Sequence, residues 1–185
     1  MKLAIAIGGS SGAIYTKVLL NSLIELQNQL EEVSITASKN AKTNWDLEIG
    51  GAYPSDPKWK WYDAQDFNAP FASGSAGYDA MIICPCSAGL LGRIAAGVSG
   101  DLSTRGADVM LKERKKLVVI LRETPFNLIH IRNMETITLA GGIICPAIPS
   151  FYSEPKDTDS IIRTVTDRAL QLAGLKVNSF EWGKE

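Results

Sequence analysis

The sequence predicts a single doubly wound α/β domain, with a mostly parallel sheet and helices on both faces, of the Rossmann or flavodoxin-like kind. Three observations point there. Short apolar runs alternate along the whole chain with stretches of helical spacing. In Leu3–Ile7 the apolar residues are consecutive, as in a central strand buried on both faces. The connections are short, which suits parallel strands joined by right-handed crossovers. At 185 residues the chain is long enough to bury a core without disulfides or structural metal.

Leu3–Ile7 (LAIAI) is the first run and reads as a central strand. From about Gly12 to Leu30 the residues Ile14, Val18, Leu19, Leu23, Leu26 and Leu30 recur at helical spacing. Val33–Ala37 is a second strand and Ala41–Ile49 a short helix. Gly50–Lys58 carries two glycines and two prolines and reads as a loop. Ala80–Cys84 is a strand, followed by helices over Ala88–Ala96 and Arg105–Arg114. Leu117–Leu121 (LVVIL) is a strand and Leu128–Leu139 a helix. Gly142–Cys145 makes a short last strand, and Asp159–Ala173 a C-terminal helix. No internal repeat, low-complexity tract or domain-scale linker interrupts the pattern, so residues 1–185 read as one domain.

A hydrophobic content of 45% and a charged content of 21% describe an ordinary globular protein. The net charge of −1 gives no attraction to nucleic acid or to a membrane surface. No apolar stretch approaches the roughly 20 residues that span a bilayer. Leu3–Ile7 runs into glycine rather than into the longer apolar segment of a secretory leader. Cys84, Cys86 and Cys145 are odd in number and lie in apolar stretches, so they read as buried reduced thiols of a cytoplasmic protein. Cys84-Pro85-Cys86 is too tightly spaced for a redox or zinc pair, and the lone His130 rules out a histidine-rich metal site.

In such folds ligands sit beyond the carboxyl ends of the strands. Those ends carry Gly8-Gly9-Ser10-Ser11-Gly12, Ser38-Lys39, Cys86-Ser87, Arg122–Pro125 and Pro146–Tyr152. A dinucleotide site requires G-x-G-x-x-G and an acid closing the second strand. Counted from Gly8, the third position is Ser10 and the sixth Ala13, and the second strand closes on Ser38 and Lys39. The Walker motif fails as well, because no Gly-Lys-Ser/Thr follows. What remains is a tight turn feeding a helix N-terminus, with backbone N–H groups and two hydroxyls. It suits a phosphate or another anion, and equally a plain helix start with Ser10 or Ser11 as N-cap. Ser87 opens the next helix in the same way. Arg105 and Lys112, seven apart on a helix, share one face. Glu123 follows a strand directly, beside Arg122, where partial burial makes a carboxyl a general acid and an ion pair is the compatible alternative.

Five ordered segments resemble the flavin prenyltransferases, UbiX-like proteins of the wider flavoprotein fold. They lie in GGSSGAIY, ASKNAKTNWDLE, the long stretch from Phe71 to Met134, which matches almost motif for motif, and CPAIPSFY. The resemblance implies that reduced FMN is alkylated at N5 and C6 by a dimethylallyl group from dimethylallyl phosphate. The prenylated flavin then serves a partner decarboxylase. It assigns Gly9, Ser10, Ser11, Ser38, Ser87 and Arg122 to the flavin, and Arg105, Lys112, Tyr152 and Arg168 to the donor's phosphate. Ser11, Glu48 and Glu123 become the catalytic residues, and Trp45 and Trp182 candidate faces for an allylic cation. It also implies homo-oligomers, commonly dodecamers, with sites at subunit interfaces. Gly8-Gly9 for Thr-Gly, Ser10 for Ala, Gly106 for Ala and Arg132 for Glu depart from the family pattern, and only Arg132 reverses a charge. The flavin-dependent cysteine decarboxylases share the fold but place a histidine after the first strand, where this chain has serines. A flavin-binding module without catalysis would have no use for a second phosphate-binding set.

Overall fold

The computed structural model describes residues 1–180 and 183. Six strands form one sheet: β1 (Lys2–Ile7), β2 (Glu32–Ala37), β3 (Lys60–Tyr62), β4 (Ala80–Cys86), β5 (Lys116–Leu121) and β6 (Ile143–Pro146). Their order is β3-β2-β1-β4-β5-β6, and every neighbouring pair is parallel. The order reverses between β1 and β4, which opens a crevice beyond their carboxyl ends. The helices are α1 (Ala13–Glu25), α2 (Lys39–Glu48), α3 (Ala88–Ala95), α4 (Leu102–Lys112), α5 (Leu128–Leu139) and α6 (Thr158–Ala173).

Alternation along the strands divides the interior into two cores. Leu3, Ile5 and Ile7 of β1 join α1 and α6 on one face, whereas Ala4 and Ala6 join α3, α4 and Ile137 of α5 on the other. β1, β4 and β5 are therefore apolar on both faces, which explains their unbroken apolar runs, whereas β2 alternates and buries Ser34 and Thr36. Among the described residues no helix is long and apolar enough to cross a membrane. Cys84 and Cys86 are fully buried, and burial pushes the Cys86 thiol up to about 12.

The architecture is the expected one, with local differences. β3 has no counterpart in the sequence reading: it is three residues long, at the sheet edge, with Lys60 and Trp61 exposed, so it carries no apolar run. α1 stops at Glu25 and a single 3₁₀ turn, Gln27–Gln29, follows, although Leu26 and Leu30 still pack on the core. α4 starts three residues before Arg105, because Asp101 and Thr104 form a capping box. β4 continues through Pro85 to Cys86. His130 has a structural part, its Nδ1 accepting from the Asn127 N–H at the start of α5.

The β1–β4 seam stays tight beyond the last ladder pair. The Gly8 N–H donates to the Pro85 carbonyl at 3.0 Å, and a Cβ on Gly8 would stand 2.3 Å from that oxygen. Because the obstacle is backbone, relief requires separating the two strand ends and breaking that bond. Gly8→Ala is expected to lower stability by about 2–3 kcal/mol, read as a lower urea midpoint at unchanged slope.

Candidate active site

The turn after β1 is held from several sides. Gly12 takes a left-handed conformation (φ 111°), for which glycine suits, and is the N-cap of α1 without a side-chain cap. Neither Ser10 nor Ser11 fills that role. Glu48, at the end of α2, does so from outside the helix: its carboxylate accepts from the Gly12 N–H at 2.9 Å and from the Ala13 N–H at 2.7 Å. One turn earlier on α2, Asn44 Nδ2 donates to the Gly9 carbonyl at 3.1 Å.

Burial works to raise the Glu48 pKa, but the N–H groups of Gly12 and Ala13, the Ser11 hydroxyl and the positive charge of Arg122 outweigh it. Its carboxyl is held below the ordinary value. Glu48 is thus an ionised cap in contact with Ser11, and the anion expected at this helix start is supplied by the chain itself. The Ser10 hydroxyl oxygen is buried with no hydrogen-bond partner among the described residues. Ser38 and Ser87 are the N-caps of α2 and α3, accepting from the N–H groups of Ala41 and Leu90 at 3.1 and 3.2 Å. A hydroxyl that accepts keeps its own proton for donation. Gly8, Gly9, Ser38, Asn40, Ser87 and Arg93 line a cleft of about 110 Å³ at the crevice between β1 and β4.

A second cleft of about 330 Å³ lies beyond β5 and β6, between Arg122–Thr124, Phe126 and Pro146–Ile148. Here Glu123 Oε1 accepts from the Thr124 N–H at 3.0 Å. Tyr15 ties α1 to this region, its hydroxyl donating to the Ala147 carbonyl at 3.2 Å. A third cavity of about 380 Å³ runs along α6 and includes Ser150, Ser153, Arg163, Asp167 and Arg168. Arg168 reaches Gln171 Oε1 at 3.4 Å, and Ser150 is tied to α6 through Thr164. Tyr152, in the same 148–153 segment, is 68% exposed.

Ser11 and Glu48 are therefore adjacent, with Arg122 close by, while Glu123 faces the second cleft. Arg105 and Lys112 are elsewhere. Arg105 donates to the Ala72 carbonyl at 2.9 Å and pairs with Asp108 at 3.0 Å, and Lys112 pairs with Glu113. Both are on α4, on the face of the sheet opposite α6 and Arg168. One chain does not bring the four phosphate candidates together. Trp45 is buried, packed on Tyr53 with ring centroids 4.1 Å apart, and its indole N–H donates to the Gly51 carbonyl. Its surfaces are engaged in packing, and Trp182 lies outside the described residues. Asn44 and Tyr15 were not singled out from sequence as site residues. The four-residue spacing of Asn40, Asn44 and Glu48 was the available signal for the first.

The Glu48 cap makes stability depend on pH with a definite sign. Its folded pKa is lowered, so its contribution is present above the ordinary carboxylate range and is lost as pH falls through the folded pKa. Glu48→Gln is expected to cost about 0.5–1 kcal/mol at pH 7, a modest figure because the residue is exposed. In urea titrations the gap between the two proteins should close as pH is lowered below the ordinary carboxylate range. A gap independent of pH would assign Glu48 no such part.

The flavoprotein family model matches residues 1–170 of the chain. A flavin prenyltransferase UbiX from Methanocaldococcus jannaschii is 39% identical, over 99% of both chains. Among solved structures, a dodecameric FMN-dependent UbiX-like decarboxylase from Escherichia coli O157:H7 is 35% identical with a TM-score of 0.91, over 100% of both chains. AnUbiX, solved in complex with FMN and dimethylallyl pyrophosphate, is 34% identical with a TM-score of 0.85, covering 97% of this chain and 98% of its own. Matched over nearly its whole length, the chain belongs to the flavoprotein family and, within it, to the flavin prenyltransferases of the UbiX type.

Proposed function

We propose that the chain, acting as one flavin-binding domain in the cytoplasm, transfers a dimethylallyl group from dimethylallyl phosphate to reduced FMN. The prenylated flavin is then passed to a decarboxylase that uses it. The observation that carries this reading is the crevice between β1 and β4. It collects the hydroxyls of Ser38 and Ser87 and glycine backbone at Gly8 and Gly9, and the buried Ser10 hydroxyl in the adjoining turn has no hydrogen-bond partner among the described residues. β2 is followed by Ser38 rather than by an acid, which suits a phosphate-bearing mononucleotide over NAD. These groups fit FMN: Gly9, Ser10, Ser11, Ser38 and Ser87 would hold it, with Arg122 between the first and second clefts. Bound reduced FMN supplies nucleophilic N5 and C6.

The chain's own residues do the rest. Ser11 sits against the ionised Glu48, which orients its hydroxyl towards the reacting edge of the flavin, where Ser11 relays a proton or positions the donor. Glu123 protonates the departing phosphate. Arg105, Lys112, Tyr152 and Arg168 bind that phosphate, the arginines through paired donors and Lys112 as a point charge. Arg105 and Arg168 are on opposite faces of the sheet, so a phosphate touching both requires two chains. The working unit is accordingly a homo-oligomer with sites between subunits. Leu128, Ile129, Ile131 and Leu139 leave an apolar surface exposed on α5, together with Arg132, and we assign it to such contacts.

Two measurements test this. Light scattering is expected to report a multiple of the 20.0 kDa chain; a monomer at working concentration would break the shared-site reading. Incubation with reduced FMN and dimethylallyl phosphate should yield prenylated flavin by mass spectrometry. Arg168→Ala should weaken donor binding by about 10–100-fold. Glu123→Gln should slow turnover by about 10²–10⁴-fold with flavin binding nearly unchanged. Wild-type rate and affinity in both variants would refute these roles.

A further inference from the structure

Helix α2 lays a polar stripe along the glycine turn. Asn40, Asn44 and Glu48 recur every fourth residue and share one side of the helix. Each meets the turn at a different point. Asn40 Cβ lies 2.5 Å from where a Cβ on Gly9 would stand, so only glycine fits there. Asn44 Nδ2 donates to the Gly9 carbonyl at 3.1 Å, and Glu48 accepts from Gly12 and Ala13 at the other end. The two grips have opposite sense, one on a carbonyl and one on N–H groups, and Ser10 and Ser11 lie between them. Held at one end only, the turn could pivot; held at both by one rigid helix, its direction is set.

We propose that Asn44 is a positioning residue for the flavin site. By fixing the Gly9 carbonyl it determines where the backbone and hydroxyls of residues 9–11 meet the cofactor. The inference rests on reading the crevice between β1 and β4 as the FMN site. The residue type supports it: asparagine is a weak helix former because its amide competes for backbone groups. Here that amide, in the middle of α2, is spent on a carbonyl outside the helix.

Asn44→Leu and Asn44→Asp keep the approximate size and remove the N–H donor, while Asn44→Gln retains an amide. FMN is titrated into each protein and followed by quenching of flavin fluorescence. Leu and Asp should each weaken FMN binding about 5–10-fold, the loss of one hydrogen bond, and Gln should regain most of it. Binding stoichiometry reports only folded sites, so a partly unfolded variant still yields its dissociation constant. Wild-type affinity in Asn44→Leu overturns the proposal. Weakening confined to Asn44→Asp also does so, because repulsion from Glu48 then accounts for it. The wild-type prenylation assay is separate: a protein that binds FMN and makes no prenylated flavin removes the activity proposed above and leaves the Asn44 comparison readable.

Discussion

The approach of the β1 end to the Pro85 carbonyl is the constraint on which the site depends. Gly8 donates to that carbonyl at 3.0 Å, and the space beside it admits no side chain. This contact fixes where β1 stops relative to β4, at the point where the strand order reverses. Everything downstream in the turn inherits that starting position: the close pass of Gly9 under α2, the left-handed Gly12, and the start of α1. A crevice at a strand-order reversal follows from topology. Its narrowness and its lining of backbone and hydroxyls follow from the glycines.

The charges in the turn are arranged before any ligand arrives. A helix N-terminus normally draws an anion through its free N–H groups. In this chain Glu48 takes the N–H groups of Gly12 and Ala13. A ligand in the adjacent cleft therefore meets the hydroxyls of Ser38 and Ser87 and the N-terminal turns of α2 and α3, rather than that of α1. The carboxylate in turn lies within the field of Arg122 and beside Ser11. One ionised group thus caps the helix and accepts a hydrogen bond from a neighbouring hydroxyl, and both contacts are strongest while it stays charged.

The cationic residues obey a different logic. Arg105 on α4 and Arg168 on α6 flank opposite faces of one sheet, and no rotation of their side chains around the buried strands brings them to a common ligand. Each already has local partners, Asp108 and Ala72 for the first and Gln171 for the second. Such partners hold the guanidinium groups in place at a surface. The exposed Tyr152 and the exposed apolar side chains of α5 lie on the outer surface of the chain, as these arginines do.

Much of this was legible in the residues alone. Consecutive apolar runs such as LAIAI and LVVIL can be satisfied only by strands covered on both faces, so the layered fold and five of the strands could be read directly. Glycine at the end of β1 marked the turn, and the ordered motifs marked the family. The edge strand β3 was not legible, because a strand covered on one side carries no such run. Nor was the partnership of Glu48 with the start of α1, since residues 36 positions apart meet only when β2 and α2 fold back over β1. Tertiary structure alone decided that Ser10 and Ser11 do not cap α1, that Trp45 is packing, and that the four phosphate candidates divide between two faces. Local sequence determines which conformation a segment adopts. Which groups then share a ligand is set by distances across the sheet, which no local pattern encodes.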